Sequence, residues 1–447
     1  MCAPHKFDDA LQSSGSTDIW SLEPERSSCR LLLAAQQLVE LVTPFFYFTT
    51  SDFTVYVIDV GGRKFSAQNA RVNEANCMQT PCENDVVFDG LNFQDLMVRQ
   101  GTIDSPPKTP FILGFECAGD VEQVGENVKN LKIGDRVAAL SEYKAWAELV
   151  LVPAKYVFAI PSDMKYEDAA AIIMNYIVAY ILLFELGNLT AGKSVLFHSA
   201  GGGVGHALVQ LSQTVPDVKI FGVASKSKHE ALQDKGITHL LERGSDYVSE
   251  VRKIAPEGID IVLDCLCGEE CNRGYSLLKP MGKYVLYGSA NVVTGETKSI
   301  FSAAKSWWQV DKVSPSKLFD ENKSIAGFNL RHLLFQQNQV EYVSGILDKV
   351  FDLWTKKKIT PVIDSKWALE DVSEAMQKMH DRKNIGKLIL DPSAEPKPKP
   401  ATPLKSKGKS IDKEDKEKDK KKEEESGSNS AGATNGSHSP QGGTQAS

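Results

Sequence analysis

The sequence predicts an α/β protein: a doubly wound parallel sheet covered by helices, joined to a second, β-rich unit. Three observations carry this reading. Short apolar runs alternate with helix-period segments from about residue 194 to 289. A glycine-rich turn follows the first of those runs. A separate group of strands, punctuated by turn glycines, precedes them all.

In chain order, residues 1–85 form an N-terminal region of unclear structure, with a helix-like stretch at Arg30–Leu41 and a strand-like one at Phe53–Val60. FECAGDVEQVG, DRVAAL and AWAELVLVP then read as a mainly antiparallel unit. The alternation follows: SVLFH then helix Gly203–Gln213, KIFGVAS then Lys228–Lys235, IDIVLDC then Arg273–Leu278, and KYVLYGS. Val340–Lys357 and Leu369–His380 show amphipathic helical spacing, and KLILD reads as a closing strand. After residue 392 the chain turns polar. From Glu395 onward there are 11 Lys against 9 Asp plus Glu, a net of +2, which leaves −9 of the total −7 on the rest. A segment with so few aliphatic residues cannot offset its ordering entropy, so 393–447 is expected to be a disordered charged tail.

Composition narrows the function classes. The 447 residues are 42% hydrophobic and 24% charged, with 33 Gly and 20 Pro, which excludes collagen-like and mucin-like chains. A net charge of −7 argues against a nucleic-acid partner. No uninterrupted apolar run of about 20 residues stands out. The nearest, Leu31–Thr49, is broken by Gln36, Gln37, Glu40 and Pro44. Eight scattered cysteines with no secretory leader read as thiols in a reducing, cytoplasmic compartment. Cys265, Cys267 and Cys271 lack zinc-pair spacing and read as packing residues; no metal site is expected.

The chemistry lies in Ser194–Gly205, SVLFHSAGGGVG. A strand enters a glycine-rich turn and a helix leaves it. In the A-x-G-x-x-G reading Ala200 needs to be small, Gly202 lets backbone approach a pyrophosphate, and Gly205 lets helix and strand pack closely. Helix amides then face the phosphates. Twenty residues on, where an acid would bind a ribose 2′-hydroxyl, stand Ser225, Lys226, Ser227 and Lys228. A hydroxyl and positive charge suit the 2′-phosphate of NADP; the alternative is a pair of solvated lysines at a helix start.

Gly90–Gly101 (GLNFQDLMVRQG), Gly114–Gly125 (GFECAGDVEQVG), Ile133–Val137 (IGDRV), the AGGGVG turn and Ile385–Leu390 (IGKLIL) resemble the medium-chain dehydrogenase/reductase superfamily, in its quinone oxidoreductase (zeta-crystallin-like) branch. NYIVAYILLFELGNL, SKHEAL, LLKPMGKYVLYG, VTGETKS and KSWW are similar to a subgroup named for synaptic vesicle membrane proteins. The resemblance covers about 89–392. It implies a GroES-like catalytic domain from 86–160 and 330–392, a Rossmann domain at 161–329, and a cleft between them where NADPH reduces a quinone or enone. It places Gly202, Gly203, Val204 and Gly205 on the dinucleotide, Ser225 and Lys228 on the 2′-phosphate, and Gly288 and Ser289 near the nicotinamide. Arg243 falls where a tyrosine commonly lines the adenosine site and could meet phosphate instead. Asn92 would stand beside the hydride acceptor, with Asp95 and Arg99 on the following turn; capping and ion pairing are the alternative roles. A homodimer through Rossmann edge strands is implied as well.

The departures from the pattern are specific. Zinc enzymes of the superfamily need thiol or imidazole ligands where this chain has Asn92, Phe115 and Met174, so a zinc-independent reaction is expected. Met97 and Ile103 replace phenols, Val178 replaces a threonine, Asp89 replaces a cysteine, and Gln213 ends the signature helix. A competing reading is a non-catalytic, NADPH-binding adaptor peripherally associated with vesicle or organelle membranes, through Trp307 and Trp308 beside lysines; for those rings, core or dimer packing is the alternative.

Overall fold

The apolar run Ser194–His198 becomes a fully buried strand in the middle of a six-stranded parallel sheet. The structure is a computed structural model that describes residues 88–108, 110–125, 127–293 and 313–398, and the backbone of 55–59. The parallel sheet comprises β7 (Ser194–His198), β8 (Lys219–Ala224), β9 (His239–Glu242), β10 (Ile259–Asp264), β11 (Leu278–Leu286) and β12 (Ser324–Gly327), in the order β12-β11-β10-β7-β8-β9. Strands buried on both faces must be apolar throughout, and FGVA in β8 and IVL in β10 are. The order reverses between β7 and β10, which puts the crevice of a doubly wound fold at the carboxyl end of β7.

The second sheet draws on both ends of the described chain. β2 (Phe88–Leu91), β3 (Glu116–Gln123), β4 (Arg136–Leu140), β5 (Leu149–Pro153) and β6 (Val157–Ala159) pair antiparallel with β1 (Val55–Asp59) in their midst. β14 (Lys387–Asp391) adds antiparallel to β2, and β13 (Ile363–Ala368) lies parallel on β14. β1 is a correction. The region 1–85 reads as structurally unclear, yet Val55–Asp59 sits between β3 and β5 of this sheet. Arg30–Leu41 and Leu31–Thr49 lie outside the described residues, as do Trp307, Trp308 and everything after Pro398.

Helix α1 (Phe93–Arg99) leaves β2, and α2 (Tyr166–Tyr180) packs on β2, β3, β4 and β14 on one side and on α3 (Gly203–Gln213) on the other. With the following π-turn, Ile181–Leu186, it makes 21 helical residues of mean hydropathy 2.0, long and apolar enough to cross a membrane, and 67% buried inside the protein. The sequence reading passed over this run. A helix apolar all round can serve as the core between two layers, and Ala169, Ala170, Ile172, Ile173 and Ile177 are fully covered.

Two boundaries also move. The helix expected at Arg273–Leu278 runs over Glu269–Ser276: Gly268 adopts φ +72° to start it, and Glu269 and Glu270 favour its positive N-terminus. The charged tail begins later than expected. Lys397 is still held, its amide donating to Asp371 (2.9 Å) and its ammonium 3.7 Å from the Trp367 ring centre.

Asp89, in β2, is fully buried and neither carboxyl oxygen has a hydrogen-bond partner. Burial, then the nearby Glu116 and Asp95, push its pKa well up. The folded protein therefore holds a proton that the unfolded chain releases above about pH 4, so this group's contribution falls as pH rises towards the folded pKa, by at most about 1.4 kcal/mol per pH unit. Asp89→Asn removes that dependence. Denaturant unfolding at pH 5 and pH 8 should show the variant gaining on the wild type at the higher pH; a constant difference would contradict the assignment.

Candidate cofactor and active site

A cavity of about 440 Å³ lies between the two sheets. Its floor is the turn after β7. Gly202 caps α3 and Gly203 begins it. A side chain at Gly203 would meet Asn175 Nδ2 at 2.4 Å, and one at Gly205 would meet the Ser199 carbonyl at 2.4 Å. The first glycine keeps the cavity wall open, and the second lets helix and strand touch. Gly202, Gly203, Val204 and Gly205 all line the cavity, as do Ser225, Lys228, Arg243, Gly288 and Ser289.

Of the basic pair after β8, only Lys228 faces inward. Lys226 is exposed and sits 3.9 Å from Glu242. Lys228 Nζ donates to the Asn384 carbonyl at 2.5 Å. Burial, then the repulsion of Arg243, bring its pKa down to about 8, with Arg382 adding to the fall and Asp364 opposing it. Arg382 is likewise lowered, by burial and then by Arg243. Three cations thus crowd one wall, an arrangement that an anion would relieve. Arg382 was not anticipated: it comes from the far end of the chain, and no local spacing links it to Lys228.

The opposite wall is a buried charge network. Lys387 Nζ pairs with Glu116 Oε1 and donates to Asn92 Oδ1 at 2.7 Å; Asn92 Nδ2 donates to Glu116 Oε1 at 2.7 Å. Glu116 Oε2 accepts from the Met174 amide at 3.1 Å. Lys387 and Glu116 are 3% and 0% exposed, so a net charge on either alone would be costly. These partners fix which way the Asn92 amide points and leave one of its N–H groups unclaimed. Asn92 lines the cavity and Asp95 does not. Asp95 is buried, accepting from the Asn92 amide (2.8 Å) and the Gly114 amide (3.1 Å), with burial raising its pKa to about 7. It closes the capping box that starts α1 and so positions Asn92 from behind; Arg99 is exposed.

The segment Asn384–Lys387 joins the two walls. Gly386 pairs with Gly202 across the cleft, its amide donating to the Gly201 carbonyl at 2.9 Å. Met97, Ile103 and Val178 line the cavity. Thr102 Oγ1 is spent on the Met97 carbonyl. Tyr287, missed in the sequence, lines it too. Its phenol is raised well above its ordinary pKa, chiefly by burial and then by the neighbouring Cys265.

Family models now place the chain. That of the alcohol dehydrogenase GroES-like domain matches residues 85–162, and that of the zinc-binding dehydrogenases matches 236–390. The human synaptic vesicle membrane protein VAT-1 homolog-like is 60% identical over 307 residues, 69% of this chain and 73% of the relative. The chain belongs to the medium-chain dehydrogenase/reductase superfamily. The crystal structure of the human VAT-1 homolog-like protein superposes with TM-score 0.60 at 51% identity, over 70% of this chain and 90% of that one. CurK enoyl reductase superposes with TM-score 0.57 at 25% identity, over 75% and 98%.

The zinc implied by one family name does not suit this member of the superfamily. Among the described residues no group of three or more His, Cys, Asp or Glu side chains is arranged to hold a metal ion. At the three positions in question Asn92 is held by Lys387 and Glu116, Phe115 is apolar and buried, and Met174 offers only a thioether.

Lys387→Met strands Glu116 as an unpaired buried carboxylate. The variant should lose about 3–5 kcal/mol in urea unfolding, and the double variant Lys387→Met/Glu116→Gln should recover part of it. A loss below about 1 kcal/mol for the single variant would show the pair to be marginal.

Proposed function

We propose that this chain is a zinc-independent, NADPH-dependent oxidoreductase that reduces a quinone or a conjugated enone. The observation carrying the proposal is the convergence of Lys228, Arg243 and Arg382 on a cavity whose floor is the glycine turn. The turn suits a pyrophosphate beside the N-terminus of α3, and the cations suit a 2′-phosphate. Ser225 would join them, with Gly288 and Ser289 beside the nicotinamide.

When bound, the dinucleotide supplies a hydride equivalent. The chain's own residues bind, orient and stabilise. Asn92 and Lys387, held by Glu116 and Asp95, offer the free amide N–H and the ammonium as donors to the oxygen that gains charge on the substrate. Met97, Ile103, Met174 and Val178 exclude water beside that oxygen and suit a flat apolar ring or alkene. The Thr102 hydroxyl in the cavity wall is committed to the Met97 carbonyl and burial holds the Tyr287 phenol protonated; the oxygen takes its proton from solvent as the product leaves. CurK, an enoyl reductase, carries this reading towards activated C=C substrates.

The homodimer is proposed through β12, which pairs only with β11 among the described residues and leaves Ile325 exposed. A cytoplasmic location, with peripheral membrane contact as the alternative, rests on the relatives' name and on Trp307 and Trp308. Flotation with liposomes, with and without Trp307→Ala/Trp308→Ala, separates the adaptor reading from the enzyme.

Titration with NADPH and NADH, followed by turnover with a panel of quinones and enones, tests the proposal. Preference for NADPH with substrate-dependent oxidation is expected; binding without turnover on the whole panel would leave the adaptor reading. Lys228→Ala should weaken NADPH binding about 10–100-fold, the worth of a charged hydrogen bond, and leave NADH nearly unchanged. Because Lys228 carries its proton only below about pH 8, the wild-type preference for NADPH should decline as pH rises through 8, and the Lys228→Ala protein should lack that decline. Bound phosphate will shift the midpoint upward.

A further inference from the structure

Three sulfurs gather at the carboxyl end of β10. Cys265 Sγ faces Ser199 Oγ at 3.4 Å in the cavity wall. Cys267 and Cys271, both free thiols, face each other with Sγ atoms 3.9 Å apart, the Cys271 S–H directed at the Cys267 sulfur. Their mounting is rigid. The fully buried Asp264 carboxylate accepts from the Leu266 amide (2.6 Å), the Tyr284 hydroxyl (2.5 Å) and the Cys267 amide (3.3 Å), and its Oδ2 lies 3.6 Å from the Cys271 sulfur. Cys267 takes φ +64°, unusual for a residue with a side chain, and Gly268 takes +72°. That turn sets the Cys267 sulfur beside the start of helix α4 (Glu269–Ser276).

We propose that Cys267 and Cys271 form a dithiol that hydroperoxides oxidise reversibly to a disulfide, Cys267 attacking and Cys271 resolving. The two sulfurs are not equivalent, and this assigns the roles. Cys267 is part-exposed, and the hydrogen bond from the Cys271 thiol, with the Gly268 amide beside it, outweighs burial and Asp264 and brings its thiol down to about pKa 7. Cys271 is buried and gives its proton to the pair, which holds it high. A partly exposed thiolate with a resolving thiol beside it is the arrangement that peroxide selects. In the first step the Cys267 thiolate attacks one oxygen of hydrogen peroxide. The O–O bond breaks, hydroxide leaves, and a sulfenic acid forms. In the second, the Cys271 sulfur attacks that sulfenyl sulfur, the S–O bond breaks, and the oxygen departs as water with the Cys271 proton. Two thiols and one peroxide give one disulfide and two waters; two electrons pass from sulfur to oxygen.

Bond formation draws the sulfurs from 3.9 Å to about 2.05 Å. The backbone that must yield is tied to the cavity wall: Ala290 donates to the Cys265 carbonyl (2.9 Å), and Asn291 donates to the Leu266 and Cys267 carbonyls (both 3.1 Å). Oxidation therefore reshapes the Gly288–Ala290 side of the cavity. The chemistry at sulfur does not depend on what the cavity binds.

The test uses the full chain, reduced, desalted, treated with stoichiometric hydrogen peroxide, alkylated with iodoacetamide and mapped by tandem mass spectrometry. The segment bearing all three cysteines should lose two hydrogens, keep Cys265 alkylated, and regain both thiols with dithiothreitol. Cys271→Ser should stop at a Cys267 sulfenic acid trapped by dimedone; Cys267→Ser should leave Cys271 reduced. Full alkylation of Cys267 and Cys271 after peroxide, or a bridge that involves Cys265, would overturn the proposal.

Discussion

The ion pair between Lys387 and Glu116 is sealed from solvent on both sides, and the two halves of the molecule meet around it. Glu116 belongs to β3 and Lys387 begins β14, 271 residues later. Because a buried charge without its partner is costly, the late strand must return to the early sheet. That return brings Gly386 against the glycine turn and Asn384 against Lys228. Asn92 is fastened to both members of the pair. One electrostatic requirement thus positions the cleft, its floor and the polar group on its far wall.

The same economy governs the charges around the cavity. On one side carboxylates and ammonium cancel inside the protein, so the Asn92 wall is dry and nearly neutral. On the other, Lys228, Arg243 and Arg382 repel one another, with Asp364 partly offsetting the effect on Lys228. A site arranged this way favours an extended molecule with an anionic end and an uncharged reactive end.

Much of this was legible in the sequence because it is local. Strand, glycine turn and the start of the helix fall within twelve residues, and Ser225 and Lys228 follow at the spacing a second strand dictates. The alternation of apolar runs announced the parallel sheet for the same reason. What stayed hidden is not local. Glu116 and Lys387 lie inside motifs that carried the resemblance, yet nothing in their spacing says that they touch. Arg382 reaches the cations of β8 only through the fold. Part of helix Tyr166–Leu186, NYIVAYILLFEL, stands in the sequence as a motif only: Glu167, Asp168, Asn175 and Glu185 break the apolar run, and its place between two layers is a tertiary fact. Asp95 takes the alternative role the sequence leaves open, capping α1, with its oxygens committed to the Asn92 and Gly114 amides.

The most direct measurement is a crystal structure with NADP bound. The account predicts the 2′-phosphate within about 2.7–3.2 Å of the Lys228 ammonium and of at least one of Arg243 and Arg382, the pyrophosphate over Gly202–Gly205, and the nicotinamide facing Asn92. A dinucleotide bound elsewhere, or a 2′-phosphate pointing into solvent past Lys226, would contradict it.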